Sequence, residues 1–203
     1  MQLAARRAAI GRPTREGVGV LAAISGGRRV RDERWRACYD AAMSEDNWDA
    51  AQPGAELVAE GDFQAAIALL TELIESQPEN EYAYFYLGAA YYEAEDYPRA
   101  LKCYVKALEI VPGYLGAMVN AGHTLRMLGR YDEAMRMGQQ VLKQAPDDGD
   151  ALFLIGAASF ARGDYAKAKS HLERFLTTQP EIEVAVEVEG MLQVIRGKLE
   201  SLN

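Results

Sequence analysis

Four prolines spaced 34 residues apart constrain the fold of this chain more than any other feature. They are Pro78, Pro112, Pro146 and Pro180. Three further sets keep the same step: the glycines Gly54, Gly88, Gly122 and Gly156, the alanines Ala66, Ala100, Ala134 and Ala168, and the aromatics Phe63, Tyr97, Tyr131 and Tyr165. A fixed period of this length is typical of stacked helical hairpins, because one hairpin cannot bury its own apolar face. The interval therefore predicts an array of four hairpins.

The second hairpin carries the most complete set of landmarks. In order, they are Tyr84, Leu87-Gly88, Tyr91, Ala100, Tyr104, Ala107 and Pro112. With these spacings the chain resembles the tetratricopeptide repeat (TPR) family. The third hairpin is a looser match, the fourth gives Leu152, Ile155-Gly156, Ala168, Leu172, Phe175 and Pro180, and the resemblance covers roughly residues 47 to 182. It implies an all-α fold, a right-handed α–α superhelix of TPR hairpins with a C-terminal capping helix.

The period divides the chain into an N-terminal extension, residues 1–42, and a TPR domain, residues 43–203. The repeats are expected at about 47–80, 81–114, 115–148 and 149–182. A capping helix is expected at about 183–202, where an apolar stripe has helical spacing. That stripe is Val184, Val188, Met191, Ile195, Leu199 and Leu202. A dimerisation helix is the alternative interpretation of the same stripe.

The first hairpin departs from the pattern, because Pro53 stands where the family has leucine. A proline inside a helix costs about 3 kcal/mol but is tolerated in the first turn. We therefore expect a short first helix that begins at Gln52 or Pro53. Trp48 would then lie just before this helix and cover the end of the stack.

Charge separates the extension from the domain. Residues 1–42 hold nine Arg, no Lys and four acids, whereas no Lys or Arg occurs from Ala37 to Pro98. We interpret residues 1–42 as a disordered or non-native extension, with a short helix around Arg34 to Met43 and with Met43 as a plausible natural start. An organelle transit peptide and a nucleic-acid-binding arm are the alternatives.

The sequence favours no catalytic, metal or cofactor site. His123 and His171 fall on different repeats without Cys or His at ligand spacing, and no phosphate loop or nucleophile motif occurs. The two cysteines, Cys38 and Cys103, make no disulfide framework, and Cys103 is expected to be a small buried apolar residue. No apolar run is long enough to span a membrane. We expect no enzyme, no cofactor and a cytoplasmic location.

A binding surface is better supported, because the first helix of the second repeat has two apolar faces. Tyr84, Leu87, Gly88 and Tyr91 should face the partner helix, and Tyr91 is expected in the hairpin core. By the family resemblance, the other face lines a concave groove. The predicted groove residues are Tyr82, Phe85, Tyr86, Tyr92, Asn120, His123, Arg126, Phe153 and Phe160. Of these, Tyr82, Phe85, Tyr92, Phe153 and Phe160 are expected to point into the groove and away from the hairpin cores.

Two functions fit these features. The first is a protein-interaction adaptor that binds an extended peptide or helix in the groove. The bound peptide or helix is expected to carry basic residues beside apolar ones. The second is a dedicated chaperone similar to the acidic TPR chaperones of type III secretion translocators. A carboxylate clamp for chaperone tails is disfavoured, because Tyr82, Tyr86 and Asp150 occupy clamp positions. The expected partner is a protein or peptide, not a nucleic acid, and the sequence sets neither its identity nor the oligomeric state.

Overall fold

The structure is a computed structural model that describes residues 45–201. The predictions for residues 1–42, including the helix around Arg34 to Met43, lie outside the described residues. The described chain falls into two compact units, residues 45–128 and residues 129–201. Each unit is built only from α-helices in the part that the structure describes.

The first unit contains five helices, joined by short turns. They are α1 (Glu45–Glu60), α2 (Phe63–Ser76), α3 (Glu81–Glu93), α4 (Tyr97–Ile110) and α5 (Leu115–Met127). Side chains cap three of the helix starts, because the first N–H groups of a helix have no partner within it. Oxygens of Asp62, Asn80 and Asp96 accept hydrogen bonds from the backbone N–H three residues later.

The turn between α1 and α2 and the turn between α3 and α4 reach the same left-handed backbone by different means. Gly61 has a φ of +86°, which costs glycine little because it lacks a Cβ. In the next repeat Glu95 takes that place with a φ of +60°. For an ordinary residue this conformation costs about 1–2 kcal/mol. The turn geometry is therefore kept even where the favourable residue is missing.

The prediction of a short first helix is wrong, because α1 continues through Pro53. The sequence argument weighed only the local cost of proline, whose ring nitrogen cannot donate to the carbonyl of Asp49. Contacts with α3 hold the part of α1 that precedes Pro53. The Nδ2 of Asn47 donates to Oε2 of Glu81 at 2.7 Å, and the ring centroids of Trp48 and Tyr82 lie 5.4 Å apart.

Helix α3 is the centre of the first unit. It packs against α1, α2, α4 and α5. Apolar residues surround it on every side, which is typical of a helix that is buried all round. Gly88 marks its closest approach to α4, since a Cβ there would lie 2.8 Å from the Tyr104 ring. The buried residues of α3 are Glu81, Tyr82, Ala83, Phe85, Tyr86, Leu87, Gly88, Ala89 and Ala90.

The second unit contains the four helices α6 (Tyr131–Gln144), α7 (Gly149–Arg162), α8 (Tyr165–Leu176) and α9 (Ile182–Glu200). Asp148 and Asp164 cap α7 and α8 by accepting from backbone N–H groups. Helix α7 packs against both α6 and α8. At Gly156 a Cβ would lie 2.6 Å from Leu172, so glycine permits the close approach of α7 and α8.

Helix α9 covers the outer side of α8. Its residues Val188, Leu192 and Ile195 are buried and join Leu172 and Phe175 in one apolar cluster. This arrangement is the one expected of a capping helix, which shields the last hairpin from water. Within residues 45–201, none of the helices is both long enough and apolar enough to cross a bilayer.

Candidate protein-interaction site

Six aromatic rings form a continuous cluster in the first unit, which we call the aromatic cluster. Its members are Trp48, Tyr82, Phe85, Tyr86, Tyr104 and Tyr114. The Phe85 ring centroid lies 4.9 Å from that of Tyr114 and 5.1 Å from that of Tyr86. Edge-to-face and tilted pairs of this kind add about 0.5–1.5 kcal/mol each beyond area burial. The cluster is therefore a source of stability for α1, α3 and the start of α5.

The expectation that Tyr82 and Phe85 point away from the hairpin cores is wrong, and Tyr86, another predicted groove residue, is buried with them. Tyr82 and Phe85 are each 3% exposed, and Tyr86 is 1% exposed. All three belong to the buried core of the first unit. The second apolar face of α3 is present as predicted, but neighbouring side chains, including Trp48 and Tyr114, cover it. A helix with apolar residues all round is buried where such partners are within reach.

The expectation that Tyr91 lies in the hairpin core is also wrong. Its ring is only half-buried, and the guanidinium carbon of Arg99 lies 4.6 Å from the ring centroid. Tyr104, at 1% exposure, is the buried tyrosine that fills the space beside Gly88. A cation over an exposed ring contributes about 0.5–1 kcal/mol, which is less than a fully buried ring provides.

Polar and aromatic groups meet where α3 ends, α4 begins and the second half of α5 passes. We call this group the Arg126 patch. It consists of Tyr92, Glu93, Tyr97, His123 and Arg126, and each of them is half-buried. The rings of Tyr92 and Tyr97 lie edge to face with centroids 5.4 Å apart. Three predicted groove residues, Tyr92, His123 and Arg126, are therefore brought together.

Burial and the charge of Arg126 set the protonation states in the patch. Burial raises the pKa of Tyr92, and the positive charge of Arg126 partly opposes this rise. Burial, together with the positive charge of Arg126, lowers the pKa of His123 to about 3. At neutral pH the patch therefore presents the neutral phenol of Tyr92 and the neutral imidazole of His123, beside the guanidinium of Arg126 and the carboxyl group of Glu93.

Arg126 has an unused donor. Among the described residues, its Nε is buried and has no hydrogen-bond partner. An unsatisfied buried donor of this kind costs about 1–3 kcal/mol. Guanidinium groups bind carbonyl and carboxylate oxygens well, so the half-buried Arg126 side chain can bind such an oxygen where it reaches the surface.

Asn120, another predicted groove residue, is engaged within the first unit. It lies on α5 and is half-buried, and its side chain hydrogen-bonds the hydroxyl of Tyr104. Burial raises the pKa of Tyr104 well above its ordinary range, so the hydroxyl stays protonated and needs a partner. The structural role of Asn120 is therefore to satisfy a buried tyrosine.

The second unit holds the two remaining predicted groove residues, both on α7. The ring of Phe153 is half-buried and lies 5.4 Å from that of Phe175. The ring of Phe160 is also half-buried and lies 6.1 Å from that of Tyr165. Seven residues correspond to about two turns of helix, so the two phenylalanines share one side of α7. Each keeps part of its ring accessible.

Sequence reasoning missed four contributors to these two groups. Tyr114 and Trp48 complete the aromatic cluster, and Glu93 and Tyr97 complete the Arg126 patch. Tyr114 precedes α5 and caps it without a side-chain hydrogen bond. A helical-periodicity argument passes over such turn residues. An aromatic residue at a helix N-cap, where Ser, Thr, Asp or Asn is preferred, was the available signal.

The described residues offer neither a metal site nor a reactive thiol. Within residues 45–201, no three His, Cys, Asp or Glu side chains come together as ligands for a metal ion. Cys103 is buried in the apolar core, as expected from the sequence. Burial raises the pKa of its thiol to about 11, so the nucleophilic thiolate is scarce at neutral pH.

Comparison with protein families gives a direct match. Models described as tetratricopeptide repeat match residues 54–114, 92–150 and 125–185. Mouse DnaJ homolog subfamily C member 7 is 36% identical over 85 residues, which cover 42% of this chain and 15% of that protein. Small glutamine-rich tetratricopeptide repeat-containing protein 2 of Saccharomyces cerevisiae is 27% identical over 157 residues, covering 76% of this chain and 43% of that protein. This chain thus spans less than half of either relative.

Solved structures with the same fold include two bacterial proteins. Residues 41 to the end of MamA from Desulfovibrio magneticus RS-1 give a TM-score of 0.67 at 18% identity, covering 78% of this chain and 88% of that one. A thermophilic TPR protein of Thermus thermophilus gives 0.61 at 18% identity, with coverages of 75% and 82%. At such identities the likeness concerns the fold alone. Together these matches confirm the predicted all-α class of TPR hairpins.

Proposed function

We propose, because this chain belongs to the tetratricopeptide repeat family, that it is an adaptor that binds an extended peptide or a helix of a partner protein. Folds of this family are typically non-catalytic scaffolds for protein–protein interaction. The observation that carries the proposal is the Arg126 patch. In it the predicted groove residues Tyr92, His123 and Arg126 are only half-buried, whereas most residues of α3 are buried.

The chemistry of the patch suits a peptide backbone. Arg126 is only half-buried, so its guanidinium group can donate to a main-chain carbonyl of a partner. The rings of Tyr92 and Tyr97 beside it offer flat apolar contact with a polar end. Aromatic and arginine side chains are the residues that most often dominate binding energy at interfaces. A short segment of the partner can therefore be held at this point.

The surrounding charge favours a partner with basic side chains. Residues 45–98 contain 13 acidic residues and no Lys or Arg. Most of these acids are exposed, whereas Glu81 is buried and Glu93 lies in the patch. Exposed like charges attract an oppositely charged ligand over roughly the Debye length, about 10 Å at moderate salt. We therefore propose that basic residues flank the segment that occupies the patch.

Phe153 and Phe160 form a second contact surface in this proposal. Their half-exposed rings lie on one side of α7. Exposed aromatic side chains offer large contact area at low entropic cost. Their loss should weaken binding of apolar side chains of the partner without changing its salt dependence.

Site-directed capture tests the proposal. The immobilised chain and its variants Arg126→Ala and Tyr92→Ala are incubated with extract of the source cells, and bound proteins are identified by mass spectrometry. The control is Lys102→Ala, which removes an exposed cation from α4. A specific partner should be retained by wild type and by the control but lost by both patch variants. It should also be retained less when salt is raised from about 50 to about 500 mM.

Two outcomes would contradict the proposal. A partner that is retained equally by all variants binds elsewhere on the chain. A partner that is lost with Lys102→Ala as readily as with Arg126→Ala responds to surface charge and not to the patch. Circular dichroism of each variant checks that helicity is preserved, so that loss of binding is not loss of folding.

The dedicated-chaperone alternative stays a prediction and has its own test. A chaperone keeps an aggregation-prone segment of its client soluble at equimolar ratio, whereas an adaptor binds a client that is already soluble. Light scattering of the captured partner with and without this chain separates the two. The cytoplasmic location stays a prediction from the low cysteine content.

A further inference from the structure

Helix α9 has a second apolar side that faces away from its own unit. Of the four large apolar side chains that are strongly exposed within residues 45–201, three belong to this helix. They are Ile182 at 74%, Val186 at 62% and Val194 at 50% exposure. The buried side of the same helix carries Val188, Leu192 and Ile195. Capping α8 therefore accounts for only one side of α9.

Two glycines lie on the same outward side. Gly190 and Gly197 are exposed, and a Cβ built at either position would meet no atom within 4 Å. Packing within the unit therefore does not require glycine at these positions. Glycine in a helix interior is less favourable than alanine by about 1 kcal/mol, so helix stability does not favour it either. What the two glycines leave is a surface without side chains one turn before and one turn after Val194.

The charges of α9 are divided along its length. The first half carries Glu183, Glu187 and Glu189, and the second half carries Arg196 and Lys198, followed by Glu200 as the last residue. All six side chains are exposed. An antiparallel copy of the same helix would place its basic half beside this acidic half. The charge pattern is thus complementary to itself when the direction is reversed.

We propose that the outward side of α9 binds α9 of a second copy of this chain, antiparallel and about a two-fold axis near Leu192. In that register Val194 of each copy lies over Gly190 of the other, and Val186 lies over Gly197. Glu187 comes opposite Lys198 on one flank, and Glu189 comes opposite Arg196 on the other. In each of the four pairs, the two residues lie at the same position along the helix axes to within about one residue rise of 1.5 Å. A two-fold contact of this kind is self-complementary, as symmetric dimers require.

The contact of one helix with one helix is small. Stable interfaces bury about 800 Å² on each partner, and a single helix pair provides less. The dimer is therefore weak, and the fraction of chains in it rises with protein concentration. This inference is independent of the proposed adaptor function, because it uses a different surface in the second unit.

Sedimentation velocity of the full chain tests the dimer over a range from about 10 μM to about 1 mM, the range in which a weak complex dissociates. The wild-type sedimentation coefficient should rise with concentration toward that of a dimer. Val194→Glu should raise the dimer Kd by at least about tenfold, because it buries a charge at the centre of the contact. The control Val105→Glu alters an exposed valine of α4 and should leave the Kd unchanged.

A charge exchange gives the sharper test. Glu187→Lys sets two cations against each other across the contact, and Lys198→Glu sets two anions against each other. Each single variant should raise the Kd several-fold, and the double variant should return it to near the wild-type value. Residues 187 and 198 are about 16 Å apart along one helix at the standard rise, so rescue cannot come from a contact within the chain.

Either of two results overturns the proposal. If the wild-type chain remains a monomer over the whole range, a different partner or solvent covers this side of α9. If a dimer forms but Val194→Glu leaves its Kd unchanged, or the charge exchange gives no rescue, the copies meet through another surface. Melting curves recorded for each variant at the lowest concentration separate lost association from lost folding.

Discussion

The Nδ2 of Asn47 donates a 2.7 Å hydrogen bond to the carboxylate of Glu81, which lies one 34-residue step further along the chain. The contact joins the first described turn of α1 to the first turn of α3. Asn80 adds to it, since its Nδ2 donates to the backbone oxygen of Asn47 at 3.0 Å. Asn80 and Glu81 are both fully buried. Buried polar groups are costly unless they are hydrogen-bonded, so this small network specifies how α1 is placed on α3.

Replacing Asn80 with alanine should destabilise the first unit strongly. The change removes the cap of α3 and leaves the partly buried backbone oxygen of Asn47 without the donor at 3.0 Å. We expect the free energy of unfolding to fall by about 2–3 kcal/mol, which combines a lost cap with an unsatisfied buried group. Urea denaturation followed by circular dichroism measures it. The matched control is Asp62→Ala, an exposed cap of α2, which should cost about 1 kcal/mol. Equal costs for the two variants would show that the network adds nothing beyond capping.

Phe85→Ala should cost far more stability than Tyr91→Ala, contrary to what the repeat pattern alone predicts. Phe85 is 3% exposed within the aromatic cluster, and truncation of a buried Phe costs about 3–5 kcal/mol. Tyr91 is half-buried beneath Arg99, so its loss should cost about 1–2 kcal/mol. Thermal and urea unfolding of the two variants give the comparison. If Tyr91→Ala proves the more damaging change, the burial pattern of α3 described above is incorrect.

His123 should make the stability of the first unit depend on pH. Its pKa in the folded chain is about 3, against an ordinary value of 6.5, because burial disfavours the charged ring. The folded chain thus binds fewer protons than the unfolded chain between these values. Stability from the neutral ring is fully present above about pH 6.5 and is lost as the pH falls toward about 3.

Variants at the two histidines measure this effect. Between about pH 6.5 and about pH 5, wild type should lose up to about 1.4 kcal/mol per pH unit more than His123→Gln does. His171→Gln, in the second unit, is measured alongside because this histidine is not part of the Arg126 patch. Parallel profiles for wild type and His123→Gln would mean that the ring becomes protonated without cost in the folded chain.

Val188→Ala and Val194→Ala should separate the two sides of α9. Val188 is fully buried against α8, and its truncation should cost about 2 kcal/mol from lost apolar burial and a residual cavity. Val194 is half-exposed, and its truncation should change stability by less than about 0.5 kcal/mol in dilute solution. Thermal melts at low protein concentration provide both values. Similar losses for the two variants would mean that the two sides of the helix are equally buried.

The fold was predictable because its determinants are local and repeated. The helix starts at Phe63, Tyr97, Tyr131 and Tyr165 are the turn aromatics that the 34-residue step singles out. Hairpin packing also follows from the sequence, since Gly88 and Gly156 face large side chains of the next helix. The start of the first helix was predicted wrongly because tertiary contacts outweighed the local preference of proline. Helix α1 continues through Pro53 because Asn47 and Trp48 are held by α3.

The candidate site was only partly predictable for a related reason. Sequence spacing placed Tyr82, Phe85 and Tyr92 on one face of α3, but it could not show which of them neighbouring chain segments would cover. Tyr114, from the turn before α5, packs against Phe85 and Tyr82, whereas Tyr92 lies at the other end of the helix and stays half-exposed. Burial by a turn residue has no periodic signal. Residue type and face are thus readable from sequence, and accessibility is not.

The absence of Lys and Arg from Ala37 to Pro98 has a practical consequence for mapping local opening. Trypsin cuts only after these residues, so α1, α2 and α3 remain within one long peptide however often their turns open. In a digestion time course, trypsin would cleave at Arg99 and at later Lys and Arg residues. It would not cleave within the first two hairpin turns. A protease that cuts after glutamate finds exposed sites at Glu60 and Glu95, each beside one of those turns. The rate of cleavage at Glu60 and Glu95 would therefore measure how readily these two turns open.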